Sequence, residues 1–170
     1  DYDLDEMSRR AIMFGEKARF TIDISRHEYV KEKREADVDG YTVYVYSPEM
    51  IVCEKLRAIC QQLPDYGQIV QRSSIGKSRG RDFIDIDLLI EKYSIDVTTE
   101  HAHHMLREMF AIKKVPLAYL GRVSEMRDLH AAEFETVKAA MRPDVTLQPF
   151  DYYFDRVLEK CRRLEPLWHE

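Results

Sequence analysis

One point in the chain constrains its fold more than any other: at Ser47-Pro48-Glu49 the spacing of apolar residues switches from the period of a strand to that of a helix. Upstream, Phe20, Ile22 and Ile24 alternate with Thr21, Asp23 and Ser25, and Tyr41 to Tyr46 is rich in β-branched and aromatic residues. This pattern predicts strands over Phe20–Ser25 and Tyr41–Tyr46. At the switch, serine suits an N-cap, proline the first helical position and glutamate the positive end of a helix. From there on the spacing is mainly helical. Strands first and helices afterwards predict an α+β fold.

The Asp39-Gly40 pair is a turn signal just before the second strand, and the mostly charged Lys31 to Asp39 reads as a solvated connection. The first helix is predicted from about Pro48 to Gln62. Gly67, Gly76, Gly80 and a pair of serines make the stretch from Leu63 to Gly80 read as one long loop. Loops beyond about 12 residues inside compact domains are usually functional or mobile. Further helices are predicted over Arg81–Tyr93, from a Thr98-Thr99-Glu100 cap to about Lys113, over Ser124–Met141 and over Phe150–Leu164, with Pro143, Pro149 and Pro166 as delimiters. The division that follows is a core over 1–93 and a helical region over 94–170 packed on it.

A chain of 170 residues buries one core, and its formal net charge of -5 gives no global attraction to nucleic acid. Any such contact must be local. Cys53, Cys60 and Cys161 lie in helical stretches without metal-type pairing and read as reduced core thiols of a cytoplasmic protein. No apolar run approaches the ~20 residues of a membrane span, and no charged-then-apolar leader opens the chain, so no membrane partner is expected. The first residue is Asp1 rather than Met, and Asp1-Tyr2-Asp3-Leu4-Asp5 runs straight into structured-looking sequence. Removal of sequence upstream is therefore expected.

The chemistry-bearing residues stand on two of the predicted helices. Ile51, Lys55, Ala58 and Gln62 share one face of the first, so Lys55 emerges among small and apolar neighbours. Arg57 points about 200° around the helix, toward the side of Cys53, Glu54 and Gln61. The two bases therefore do not serve one phosphate from one face. In Arg81-Asp82-Phe83-Ile84-Asp85-Ile86-Asp87-Leu88-Leu89 three acids thread an otherwise apolar helix, with Asp82, Asp85 and Leu89 on one side and Asp87 beside Phe83 and Ile84. Asp82 suits the positive end of the helix. Asp85 lies a turn deeper and needs a cation or donors, or its pKa will rise. Lys55 is the candidate partner, with two readings open: a lysine whose stem covers the core, or an ammonium that grips phosphate.

These residues carry a family resemblance. Glu54-Lys55-Leu56-Arg57-Ala58-Ile59 resembles the Lys-x-Arg-Ala helix motif of the AbiEii/AbiGii toxins, and Arg81-Asp82-Phe83-Ile84-Asp85 resembles their Arg-Asp-x-x-Asp motif. Tyr44-Val45-Tyr46-Ser47-Pro48-Glu49-Met50 is similar to the family's strand-to-helix approach, and the resemblance covers about Phe20 to Tyr93. It implies a polymerase-β-like nucleotidyltransferase fold, here a sheet remnant followed by a helical C-terminal region. The implied activity is transfer of a nucleotidyl group from an NTP, with Mg²⁺, to an RNA acceptor, tRNA ends favoured. The implied setting is a toxin paired with an antitoxin in phage defence or growth arrest. By the same resemblance Asp23 is the family's third acidic position and a metal ligand, Lys55 holds phosphates with Arg81 beside it, and Asp82 and Asp85 orient Lys55 or assist the acceptor hydroxyl.

The family's first motif, a Gly-Ser turn followed by an Asp-x-Asp strand end, has no counterpart here, for no Gly-Ser pair occurs in the sequence. Asp1, Asp3 and Asp5 alternate as such a strand end would, but without the glycine turn they read as a solvated acidic start. Mg²⁺ needs carboxylates together with phosphate oxygens, so weak nucleotide binding, or none, is expected of this chain as it stands. Gly76-Lys77-Ser78 is not a phosphate loop, since Gln71 occupies the place of its first glycine. Arg72, Lys77, Arg79 and Arg81 form either a local basic patch for RNA or a merely mobile loop. His101 and His104 read as helix-surface histidines rather than a metal pair, and Phe150, Tyr152, Tyr153 and Phe154 as core. Two other functions use the same residues: kinase-like phosphoryl transfer to a protein, and a non-catalytic module in which Lys55 and Asp85 only bridge.

Overall fold

A computed structural model of the chain describes residues 24, 25, 27–71, 73, 76–141 and 146–170. Asp1, Asp3, Asp5, Asp23, Arg72, Pro143 and most of the strand expected over Phe20–Ser25 lie outside them. The last two residues of that expected strand, Ile24 and Ser25, are described and irregular, and Ile24 is 88% exposed. The described residues form an α+β fold, a two-stranded antiparallel sheet followed by helices.

Strand β1 (Arg34–Val38) pairs with β2 (Tyr41–Val45) in the register Arg34↔Val45 to Val38↔Tyr41. Asp39 and Gly40 join them, both at positive φ (53° and 82°), as a two-residue hairpin turn of the primed type requires. Asp37 Oδ1 accepts the Gly40 N–H at 3.1 Å and closes the turn. The charged stretch expected to be a solvated connection is thus partly a strand. Its own residues carry little β signal because most of them stay exposed. The turn and cross-strand pairs such as Tyr44 with Glu35, 3.2 Å from hydroxyl to carboxylate, specify it instead.

Helix α1 (Pro48–Cys60) starts as its sequence dictates, with Ser47 Oγ accepting the Met50 N–H at 3.2 Å. A short helix, α2 (Pro64–Ile69), interrupts the region expected to be one loop. Its glycine and its lack of a side-chain cap hide it. Tertiary bonds hold it: Tyr66 is buried, accepts Gln61 Nε2 at 2.7 Å and donates to the Lys113 carbonyl at 2.8 Å. Helix α3 (Gly80–Tyr93) ends on Ser94 in the left-handed region, and α4 (Glu100–Ile112) begins with Thr99 Oγ1 accepting the Ala102 N–H at 3.1 Å.

The single helix expected over Ser124–Met141 is broken. A 3₁₀ segment (Leu117–Met126) leads into α5 (Arg127–Ala131) and α6 (Phe134–Ala139), with non-helical backbone at Glu133. Packing overrides local preference here, because the bends bring the His130 and Phe134 rings onto Phe83 and Phe150. Helix α7 (Phe150–Arg163) follows, then a 3₁₀ turn (Glu165–Leu167). Among the described residues no helix is long and apolar enough to cross a membrane.

The core is one cluster with residues on both sides of Tyr93. Helix α1 packs on α3 and α4, and α3 on α7. At its centre Phe83 meets Phe150 and Phe154 at 5.5 and 5.4 Å between ring centroids, so the aromatic run of α7 is core, with Tyr152 left outside. The three cysteines are free and buried, and burial pushes the Cys53 and Cys161 thiols up to about 12, which leaves them protonated and unreactive. Phe83→Ala should cost about 3–5 kcal/mol of unfolding free energy, because the surrounding rings cannot close the gap. Urea unfolding measures this, and a loss under about 1 kcal/mol would place the centre of the core elsewhere.

Candidate active site

The geometry brings Lys55 of α1 onto two carboxylates of α3. Its Nζ lies 2.7 Å from Asp82 Oδ1 and 2.8 Å from Asp85 Oδ2. Asp82 and Asp85 stand three residues apart, so both oxygens face the same neighbouring helix. The Lys55 side chain keeps 22% of its exposure and Asp82 10%, so the cluster sits at the edge of the core and not at its centre. Burial alone draws the Lys55 pKa down. The hydrogen bonds that Lys55 donates to Asp82 and Asp85, together with their negative charge, outweigh this effect, and the net shift is upward, so the ammonium stays charged at neutral pH.

Two arginines complete the cluster. Arg79 Nη1 lies 3.2 Å from the second oxygen of Asp82, and Arg81 Nε 3.7 Å from Asp85 Oδ2. Arg81 is largely exposed and weakly held there. A shallow groove of about 240 Å³ opens beside them, lined by Ser78, Arg79, Arg81, Asp82, Glu133 and Val137 among others. Of the expected basic patch, Arg79 and Arg81 line this groove, but each is paired with an aspartate. The backbone N–H of Lys77 donates to Gln62 Oε1 at 2.8 Å. Gly76 packs beneath the Gln62 carbonyl, where a Cβ would lie 2.3 Å from the oxygen, so packing accounts for this glycine without a phosphate loop.

Arg57, Asp87 and His101 have structural partners. Arg57 is 5% exposed and donates to Glu54, at 3.0 Å from Nε, and to Gln61, which continues to Tyr66 and the end of α4. Asp87 pairs with Arg156, fastening α7 to α3. His101 pairs with Glu32 at 2.8 Å. Among the described residues no group of three or more His, Cys, Asp or Glu side chains is placed to hold a metal ion. Asp82 and Asp85 already share the Lys55 ammonium, so the carboxylates seen here do not fit the divalent cation that the resemblance implies. Asp23 lies outside the described residues.

One residue of this region has no signal in the sequence. His130 of α5 is fully buried against Phe83, 5.1 Å between rings, and its Nδ1 accepts the Arg79 N–H at 3.1 Å. A lone histidine in a weakly periodic stretch does not announce such a contact. Burial pulls its pKa from 6.5 down to about 4, with the Asp82 carboxylate pulling the other way and Arg79 adding to the drop. Between those two values the unfolded chain holds a proton that the folded chain lacks, so stability falls as pH falls through this window and is unaffected above it. The full loss is about 3 kcal/mol. The stability difference between wild type and His130→Asn, followed by urea unfolding, should therefore be flat above pH 7 and shrink toward pH 4. A difference constant over this range would mean that the histidine titrates normally.

A family model described as "Nucleotidyl transferase AbiEii toxin, Type IV TA system" matches residues 10–160. No curated protein and no solved structure matches the chain. The match takes in both motif helices and continues into α7, well past Tyr93, where the residue-level resemblance ends. The chain belongs to the AbiEii family, the nucleotidyltransferase toxins of type IV toxin–antitoxin systems.

Proposed function

We propose that Lys55, Asp82 and Asp85 are catalytic residues of a cytoplasmic toxin that moves a nucleotidyl group from an NTP to an RNA acceptor, with tRNA ends favoured, in phage defence or growth arrest. The observation that carries this reading is the valence of the ammonium. A lysine has three N–H donors; Asp82 and Asp85 take two, at 2.7 and 2.8 Å, which leaves the third for an anionic oxygen. The Lys55 side chain keeps 22% of its exposure, so that third position stays reachable from outside the core.

In the transfer step the acceptor hydroxyl oxygen forms a bond to the α-phosphorus and the bond from that phosphorus to the pyrophosphate oxygen breaks. Pyrophosphate leaves. Lys55 holds phosphate oxygens and offsets the charge that builds on them, with Arg81 as a second contact to the nucleotide. Asp82, which faces the groove, takes the hydroxyl proton, while Asp85 keeps the ammonium oriented. Mg²⁺ would supply further neutralisation of the triphosphate, with Asp23 as the candidate ligand. The cognate antitoxin is the partner that membership of the family implies.

In the complete protein, Lys55→Ala and Asp82→Ala should each reduce transfer of labelled nucleotide to RNA by about a hundredfold or more and relieve toxicity. His104→Ala, on exposed helix surface, should change neither. Removing one partner of a buried pair can itself cost about 3–5 kcal/mol, so thermal melting must show the variants folded at the assay temperature. Transfer of a γ-phosphate label to a protein, with no nucleotide on RNA, would favour kinase-like transfer. A folded Lys55→Ala protein with full transfer would leave the cluster a structural ion bridge.

A further inference from the structure

The connection into α3 is gripped from outside by His130. Its Nδ1 accepts the Arg79 N–H at 3.1 Å, and its carbonyl oxygen accepts the Ser78 hydroxyl at 3.2 Å. The same carbonyl leaves no room for a side chain at Gly80, where a Cβ would lie 2.9 Å from it. Arg79, whose amide His130 fixes, sends Nη1 to Asp82 Oδ2 at 3.2 Å, and the Asp82 N–H returns to the Arg79 carbonyl at 2.8 Å. Asp82 in turn holds Lys55. An unbroken line of contacts therefore runs from α5, through the residue before α3, into the proposed catalytic cluster.

We infer that His130 is a positioning residue for Asp82, setting where the first turn of α3 stands and which way its carboxylate faces Lys55 and the groove. The chemistry requires a neutral imidazole, because only an unprotonated Nδ1 accepts an N–H, so the proton sits on Nε2. Full burial against Phe83 fixes the ring. The consequence for catalysis rests on the proposed transfer reaction, whereas the geometry does not.

Two variants break this contact from opposite sides. His130→Leu removes the acceptor but keeps an apolar side chain in the site, and Gly80→Ala pushes the connection off the His130 carbonyl while leaving the imidazole intact. In the complete protein each should lower kcat for nucleotide transfer about tenfold to a hundredfold, since a displacement of about 1 Å is enough for such a loss. KM for the NTP should stay within about twofold. His130→Asn, whose Oδ1 stands near the place of Nδ1, should restore most of kcat; a merely structural histidine would show neither the split nor this rescue.

Hydrogen exchange of the Arg79 amide gives a reading independent of activity. It should quicken about tenfold in His130→Leu and Gly80→Ala and stay near wild type in His130→Asn. If the wild-type protein transfers nothing, the proposed function falls, and the exchange pattern alone decides whether His130 positions this turn. Folded His130→Leu and Gly80→Ala proteins with wild-type kcat and wild-type Arg79 exchange would overturn the inference. So would a loss of kcat that asparagine fails to relieve.

Discussion

One ammonium group allows two carboxylates to stand on an apolar helix. Without Lys55, Asp82 would keep only Arg79 and Asp85 only the more distant Arg81, and no cation would stand between the two carboxylates and α1. With it, the two helices close on a charged seam at their edge while Leu56, Ile59, Phe83 and Ile86 fill the interior. The rest of the helical assembly builds on that pair. Helix α4 covers one side of α1, and α7 covers α3 through the Phe83 cluster and the Asp87–Arg156 bridge.

Such a seam is a poor choice for stability alone. Replacing a buried ion pair by apolar side chains of similar volume is often neutral or stabilising, because desolvation consumes much of the Coulomb gain. Here the charges also stay partly open to water, beside a groove carrying Arg79 and Arg81. Charge kept at the rim of a core, with one donor of the ammonium left over, is why the proposed function prefers an anionic substrate here to a purely structural bridge. Membership of a nucleotidyltransferase family gives that preference a chemical direction.

What could be read from the sequence followed the strength of local signals. Helices α1 and α4 start at Ser47 and Thr99, whose side chains cap them, and the placing of Asp82 and Asp85 on one face of α3 follows from spacing alone. Tertiary contacts decided the rest. Strand β1 is charged and exposed and exists because a turn returns β2 beside it; α2 depends on the bonds of Tyr66; and the breaks at Met126 and Glu133 exist to seat His130 and Phe134. The same limit applies to the site. Arg57 and Lys55 differ in sequence only by the side of α1 they occupy, which was legible, but Asp87 finds Arg156 and Arg79 finds His130 across distances in the chain that no local pattern spans.

In the proposed function the Lys55, Asp82 and Asp85 charges serve transfer chemistry and not folding. The most direct test is the rate of labelled-nucleotide transfer to RNA by the complete protein carrying Lys55→Met, Asp82→Leu and Asp85→Leu together, which replaces the seam with apolar contacts rather than orphaning one charge. A protein that folds as stably as wild type and transfers no nucleotide is the predicted result. A triple variant that still transfers nucleotide at the wild-type rate would contradict it.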